Sequence, residues 1–167
     1  YRTIQKVNKL NIAPQTVVHS RLKKSDIDDA LSLEASWVGL FFDVSKHRLT
    51  TKYGLNEEKS LTLINESILY AKKNGLKIRF TAEDASRTDL DYLLKIGELV
   101  EKAGADRFGF ADTVGVLYPQ KVSEVITKLV NHLNIPIHVH FHNDFGLATA
   151  NALQAVQSGA SCVDVTV

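Results

Sequence analysis

The sequence predicts an α/β fold built on a parallel sheet. Three observations carry this. Short apolar runs rich in Val, Ile and Phe recur along the chain. Stretches with apolar residues three and four apart separate them. Polar clusters gather at the carboxyl ends of the apolar runs and hardly at all at the amino ends.

Runs at about 16–19, 37–42, 77–81, 106–111, 136–142 and 162–167 are expected as buried strands. A weak helix is expected between the first two, from Ser25 or Asp26 to about Ala35. The clearest helix spans 56–74. Asn56 caps it, Glu57 and Glu58 sit in its first turn, Leu61, Ile64 and Ile68 form one apolar stripe, Lys72 and Lys73 lie in the last turn, and Gly75 ends it. Thr88 is the expected cap of a helix carrying Leu90, Leu93, Leu94 and Val100, which stops at Gly104. Pro119 suits a first helical position, with Val122, Val125, Ile126 and Leu129 behind it. The last helix, about 147–158, is expected to turn Ala148, Ala152, Leu153 and Val156 inward and to stop at Gly159.

Six strands alternating with helices fit either an open doubly wound sheet or part of a (β/α)8 barrel. Both place functional residues at the carboxyl ends of strands. The clusters His19-Ser20-Arg21, Asp43-Val44-Ser45, Ala82-Glu83-Asp84, Asp112-Thr113 and His142-Asn143-Asp144 lie there. Leu76-Lys77, Ala105-Asp106 and Asn134-Ile135, at the amino ends, are bland. A barrel needs eight strands, so that reading puts two units outside the sequence. No Gly/Ser/Pro linker divides the 167 residues, and one domain is expected over 1–167.

With 44% hydrophobic residues the chain is of the globular class. Twenty Lys and Arg against 19 Asp and Glu give no electrostatic reason to expect nucleic acid or an anionic membrane as partner. No apolar run is long enough to span a bilayer. The single cysteine, Cys162, has no partner for an internal disulfide and reads as core. A cytoplasmic location is the simplest expectation, with no signal peptide in view. The absence of Met and the start at Tyr1 suggest a piece of a longer protein, or processing.

Residues two apart on a strand share a face. His138, His140 and His142 therefore point one way, and Ile137, Val139 and Phe141 the other. Converging imidazoles suit a divalent transition metal; hydrogen-bonded core or solvent-facing histidines fit the spacing as well. The position of His140 and His142 beside Asn143-Asp144 favours a metal, and His138, deepest, reads as packing or support. Arg79 and Thr81 alternate with Phe80. If Phe80 faces helices, Arg79 faces the interior, where it needs either a substrate carboxylate or a structural acid such as Glu83 or Asp84. Asp84 and Asp112 read as capping or loop acids, and Thr113 before Val114-Gly115 as a hydroxyl held by a tight turn. His19 and Arg21 suit a solvated loop or a site equally. Trp37, Phe41 and Phe42 read as core. No Walker-type loop, Gly-x-Gly-x-x-Gly or Gly-x-Ser-x-Gly occurs.

Taken together, these motifs resemble those of the isopropylmalate/homocitrate synthase family. His140-Phe141-His142-Asn143-Asp144-Phe145-Gly146-Leu147-Ala148-Thr149-Ala150-Asn151 is similar to the family's His-x-His-Asn-Asp-x-Gly-x-Ala-x-Ala-Asn signature. Ala111-Asp112-Thr113-Val114-Gly115 and the block from Thr81-Ala82-Glu83-Asp84 to Asp89 resemble two others, in the same order. Gly159 to Val167 looks like the next strand. The resemblance implies a (β/α)8 TIM barrel with its third to eighth strands present, and its first two strands and C-terminal region outside the chain. It implies a transferase that joins the acetyl group of acetyl-CoA to a 2-oxo acid and releases CoA, acting as a homodimer with a divalent cofactor, Zn, Mg or Mn. Carried over, His140 and His142 are metal ligands, while the acidic third ligand belongs to a strand outside the chain. Arg79-Phe80-Thr81 resembles the form found in members that take 2-oxoglutarate and give homocitrate. There Arg79, Thr81, Thr113 and, more loosely, His19 would bind substrate, and no catalytic base is assigned. A branched alkyl tail would leave that arginine unpaired. Isopropylmalate synthase, citramalate synthase and a non-catalytic barrel fragment remain as alternatives.

Overall fold

The computed structural model describes residues 2–10 and 15–166. After a first helix, α1 (Arg2–Lys9), strands and helices alternate: β1 (Val17–Arg21), α2 (Lys24–Ser32), β2 (Trp37–Asp43), α4 (Glu57–Lys73), β3 (Lys77–Glu83), α5 (Leu90–Lys102), β4 (Arg107–Asp112), α6 (Pro119–His132), β5 (Ile137–Phe141), α7 (Ala148–Gln157) and β6 (Cys162–Val163). Between β2 and α4 lies a short helical turn, α3 (Lys46–Arg48), which runs into a π-helical turn, Leu49–Tyr53. No apolar stripe in residues 46–53 announces it.

All neighbouring strands pair in parallel, in the order β1-β2-β3-β4-β5-β6. That order decides between the two expected architectures. A doubly wound sheet reverses direction at a switch point; an order that never reverses winds one way, as in a (β/α)8 barrel. Right-handed crossovers then keep every connecting helix on the same side of the sheet. The described residues form a six-stranded arc of such a barrel.

Register fixes which side chains see the helices. Val38, Leu40, Ile78, Phe80, Phe108, Phe110, Ile137 and Val139 occupy the outer face and are buried against the helical layer, which contributes Ile64, Ile68, Leu93, Ile96, Ile126 and Leu129. Burying each such side chain contributes roughly 1.5–3 kcal/mol. The inner face carries His19, Phe41, Arg79, Thr81, Gly109, His138 and His140. Phe42 joins the outer core as expected and Trp37 is buried, but Trp37 and Phe41 share the inner parity of β2, and Phe41 is half-buried with its ring 6.0 Å from that of His19. Cys162 likewise is half-buried and pairs in register with inward-facing His138 rather than joining the outer core.

Most helix boundaries follow their caps. The Asn56 side chain accepts from Lys59 N at 2.9 Å, and α4 ends before Gly75 in the left-handed region at φ 82°. The cap of α5 is Asp89, not Thr88: Asp89 Oδ1 accepts from the amides of Asp91 and Tyr92, while the Thr88 hydroxyl donates back to the Asp84 carbonyl. α7 presents a different face from the one expected. Leu153 and Val156 are 62% and 51% exposed, and Asn151 and Ala155 are buried. Small side chains let α7 approach α6 closely, and Asn151 Nδ2 donates to the Leu117 carbonyl at 2.8 Å. β6 as assigned is shorter than the expected 162–167, although Asp164 N still donates to Val139 O at 3.0 Å and extends the ladder by one bond. Position 167 lies outside the described residues.

Candidate functional site

The carboxyl ends of the strands converge on the inner face. A cavity of about 190 Å³ there is lined by His19, Arg79, Thr81, Thr113, His140 and His142, with Phe41, Glu83 and Asp164. All six side chains expected at a substrate or metal site thus share one space. An adjoining cavity of about 630 Å³ shares His19, Arg79, His140 and Asp164 and runs towards Thr149 and Thr166. A separate surface hollow of about 860 Å³ lies away from these residues, between the π-helical turn and the start of α4.

The histidines follow the parity of β5. His138 is fully buried, whereas His140 is 40% exposed at the rim and His142, just past the strand, is exposed. The rings of His140 and His142 stand edge to face with centroids 5.1 Å apart. Room for His138 is made by Gly109 in the next strand: a Cβ there would lie 2.6 Å from His138 Nδ1 and 2.7 Å from Thr81 Oγ1. Neither nitrogen of His138 has an aligned hydrogen-bond partner, although its Nε2 lies 3.0 Å from Asp164 Oδ2.

Asp164 is the residue that sequence reading passed over. Its Oδ2 is 3.1 Å from His140 Nδ1, and its Oδ1 is 3.3 Å from Arg79 Nη1. Arg79, only 11% exposed, also donates from Nη2 to His19 Nε2 at 2.8 Å. The structural acid facing Arg79 is therefore Asp164, not Glu83 or Asp84. Burial alone would raise the Asp164 carboxyl, but its contacts with His138 and His140 and the charge of Arg79 hold it well below the usual range. Burial, then the Arg79 charge, lowers His19; burial chiefly lowers His138. Guanidinium only donates, so His19 must present a lone pair at Nε2.

Glu83 faces the same cavity. Burial pushes its carboxyl up, and the neighbouring Asp43 charge adds to this. Asp43 itself is buried and held by Lys52 Nζ at 2.6 Å and Tyr53 OH at 3.0 Å, which pins the π-helical turn to the end of β2.

Asp84 and Asp112 are loop acids, as expected. Asp112 accepts from the amides of Val116 and Leu117. Asp84, fully buried in the left-handed region at φ 57°, accepts from Arg87 Nε and Nη2 at 2.7 and 2.8 Å and from the Ser45 hydroxyl. Its backbone N donates to Thr113 Oγ1 at 2.8 Å. One residue thus fastens the loops after β2, β3 and β4. With its oxygen already accepting from Asp84, the Thr113 hydroxyl has its proton free to donate elsewhere. Arg21, the other candidate of β1, points away and pairs with Asp26 at 2.6 Å.

A model of the HMGL-like family matches residues 1–167, the whole chain. The chain belongs to the HMGL-like family. Two relatives of this HMGL-like chain, both named homocitrate synthase, are 45% identical in Sulfurisphaera tokodaii and 44% identical in Saccharolobus solfataricus, each over 100% of this chain. The chain spans 37% of the length of each relative. Among solved structures, the HMG-CoA lyase of Bacillus subtilis aligns with a TM-score of 0.82 over 98% of this chain and 58% of its own, at 20% identity. That of Brucella melitensis gives 0.84 over 99% and 61%, at 16% identity. These two likenesses are of fold, and they agree with the barrel arc drawn from strand order.

Among the described residues, no three His, Cys, Asp or Glu side chains converge as a complete metal cage. The HMGL-like chain offers two imidazoles on one rim. The Asp164 contact occupies Nδ1 of His140 and leaves its Nε2 for another partner. That pair fits part of a divalent ligand set and leaves further positions to other donors.

Proposed function

We propose that the full-length protein condenses acetyl-CoA with 2-oxoglutarate to give homocitrate and CoA, and that this chain supplies six of the eight units of its catalytic barrel. The observation that carries the choice of substrate is Arg79: a nearly buried guanidinium facing the cavity, 3.3 Å from the Asp164 carboxylate and lining the same space as His140. A second substrate carboxylate gives such a cation a partner with matching fork geometry, and a hydrocarbon tail does not. The relatives named homocitrate synthase support the same reading.

The chain's own residues then divide the work. Arg79 receives the distal carboxylate, and His19 steadies Arg79 through Nε2. The Thr113 hydroxyl, oriented by the Asp84 amide, donates to a substrate oxygen. Thr81, in register beside Gly109, shapes the floor of the cavity. His140 and His142 hold a divalent ion, which when bound supplies Lewis acidity to the ketone of a 2-oxo acid. Condensation requires that the acetyl methyl give up a proton as its carbon bonds to the ketone carbon; water then cleaves the thioester and CoA leaves. Glu83, whose burial favours the protonated form, is a further carboxyl on the cavity wall.

The test is kcat/KM of the full-length protein with acetyl-CoA and 2-oxoglutarate, 2-oxoisovalerate or pyruvate. Preference for 2-oxoglutarate is expected. Preference for 2-oxoisovalerate or pyruvate would overturn the substrate assignment in favour of isopropylmalate or citramalate synthase.

A further inference from the structure

Asp164 contacts both His140 and Arg79. Its amide donates to Val139 O, which carries the ladder past β6 and places its side chain level with His140 on the inner face. One carboxylate oxygen, Oδ2, meets His140 Nδ1 at 3.1 Å; the other, Oδ1, meets Arg79 Nη1 at 3.3 Å. An ionised carboxylate only accepts hydrogen bonds, so Nδ1 of His140 carries the ring proton and Nε2 keeps its lone pair. Arg79 on the opposite oxygen stops the carboxylate from rotating away. His138, fully buried beneath, closes the third side at 3.0 Å from Oδ2.

We infer that Asp164 is a positioning residue: it fixes the tautomer and orientation of His140 for a divalent cation and ties that ring to the substrate-facing Arg79. This rests on the reading that His140 and His142 hold the ion. A carboxylate behind a metal-binding imidazole raises its donor strength and removes the freedom of the ring to turn; losing such a support typically weakens metal affinity by about 10–100-fold.

The experiment measures Zn²⁺ and Mn²⁺ dissociation constants by chelator competition on the metal-free full-length protein, as wild type, His140→Ala, Asp164→Ala and Asp164→Asn. Nitrogen-15 chemical shifts of His140 in the same metal-free samples report its tautomer, which a merely structural role for Asp164 would leave alone. Expected are tight binding by wild type, loss in His140→Ala, and roughly 10–100-fold weaker binding in Asp164→Ala with a mixed His140 tautomer. Asp164→Asn keeps the volume and one acceptor but not the charge, and decides the matter if Asp164→Ala does not fold: weaker binding than wild type supports the inference. Wild-type affinity and tautomer in the folded Asp164 variants, alongside loss in His140→Ala, would overturn it and leave the metal reading standing. Equal binding by wild type and His140→Ala would overturn the metal reading, and this inference with it.

Discussion

Gly109→Ala tests the packing under the site without reference to any reaction. An added Cβ would lie 2.6 Å from His138 Nδ1, 2.7 Å from Thr81 Oγ1 and 2.9 Å from His138 Cε1, where ordinary contact begins at 3.4 Å. The His138 ring must therefore retreat by roughly 0.8 Å, yet it is fully buried and backed by Asp164 at 3.0 Å. Overpacking of this kind costs about 1–3 kcal/mol. Replacing a strand glycine by alanine returns about 0.5–1 kcal/mol of backbone entropy. The net loss is about 1–2 kcal/mol, read as a lower urea midpoint at unchanged slope in the full-length protein. In a His138→Ala background the two ring contacts at 2.6 and 2.9 Å vanish while the Thr81 contact stays, so the penalty of Gly109→Ala should fall below about 1 kcal/mol, a coupling within reach of a double-mutant cycle. Equal penalties in the two backgrounds would refute the claim that Gly109 exists to admit the His138 ring.

Three further outcomes follow from the same geometry. Arg79→Ala should lower kcat/KM for 2-oxoglutarate by roughly 10²–10³, the kinetic equivalent of about 3–4 kcal/mol for a lost charged hydrogen-bond pair, with little effect on 2-oxoisovalerate; an unchanged ratio of the two would remove the carboxylate-clamp role. Phe80→Ala should destabilise by about 3–5 kcal/mol, because the ring is fully buried between the sheet and its helices, and denaturant titration checks it. Glu83→Gln should stabilise the fold above the ordinary glutamate value of 4.5. The folded carboxyl binds its proton more tightly than the unfolded one, so its ionisation costs stability as pH rises past 4.5, and the variant's advantage should vanish below that pH. A pH-independent difference would show that burial is not what raises this carboxyl.

Much of the arc was legible in residue order. Alternation along 77–81 and 136–142 assigned Phe80, Val139 and Ile137 to the helices, and Arg79, Thr81 and the histidines to the interior, because a strand has only two faces. Whatever depended on a partner distant in sequence was not legible. Asp164 reads as one polar residue at the end of an apolar run; only the register of β6 against β5 reveals that it meets His140 and Arg79. α7 was expected to bury Leu153 and Val156 because periodicity weighs hydrophobicity; the buried Asn151, which bonds the Leu117 carbonyl, could not be read that way. The π-helical turn at Leu49–Tyr53 escaped because a buried Asp43, holding Lys52 and Tyr53, anchors it in place of an apolar stripe.

The Asp84 junction bears on how this scaffold can be altered. Three neighbouring connections are stitched at one carboxylate and one amide, so none of them is an independent module. Grafting a single connection from another HMGL-like protein would strand a buried negative charge or release the Thr113 rotor, even where the graft itself has suitable length. Recombination among such proteins should therefore succeed when the segments carrying Ser45, Asp84 with Arg87, and Thr113 travel as a set, and fail when they are parted.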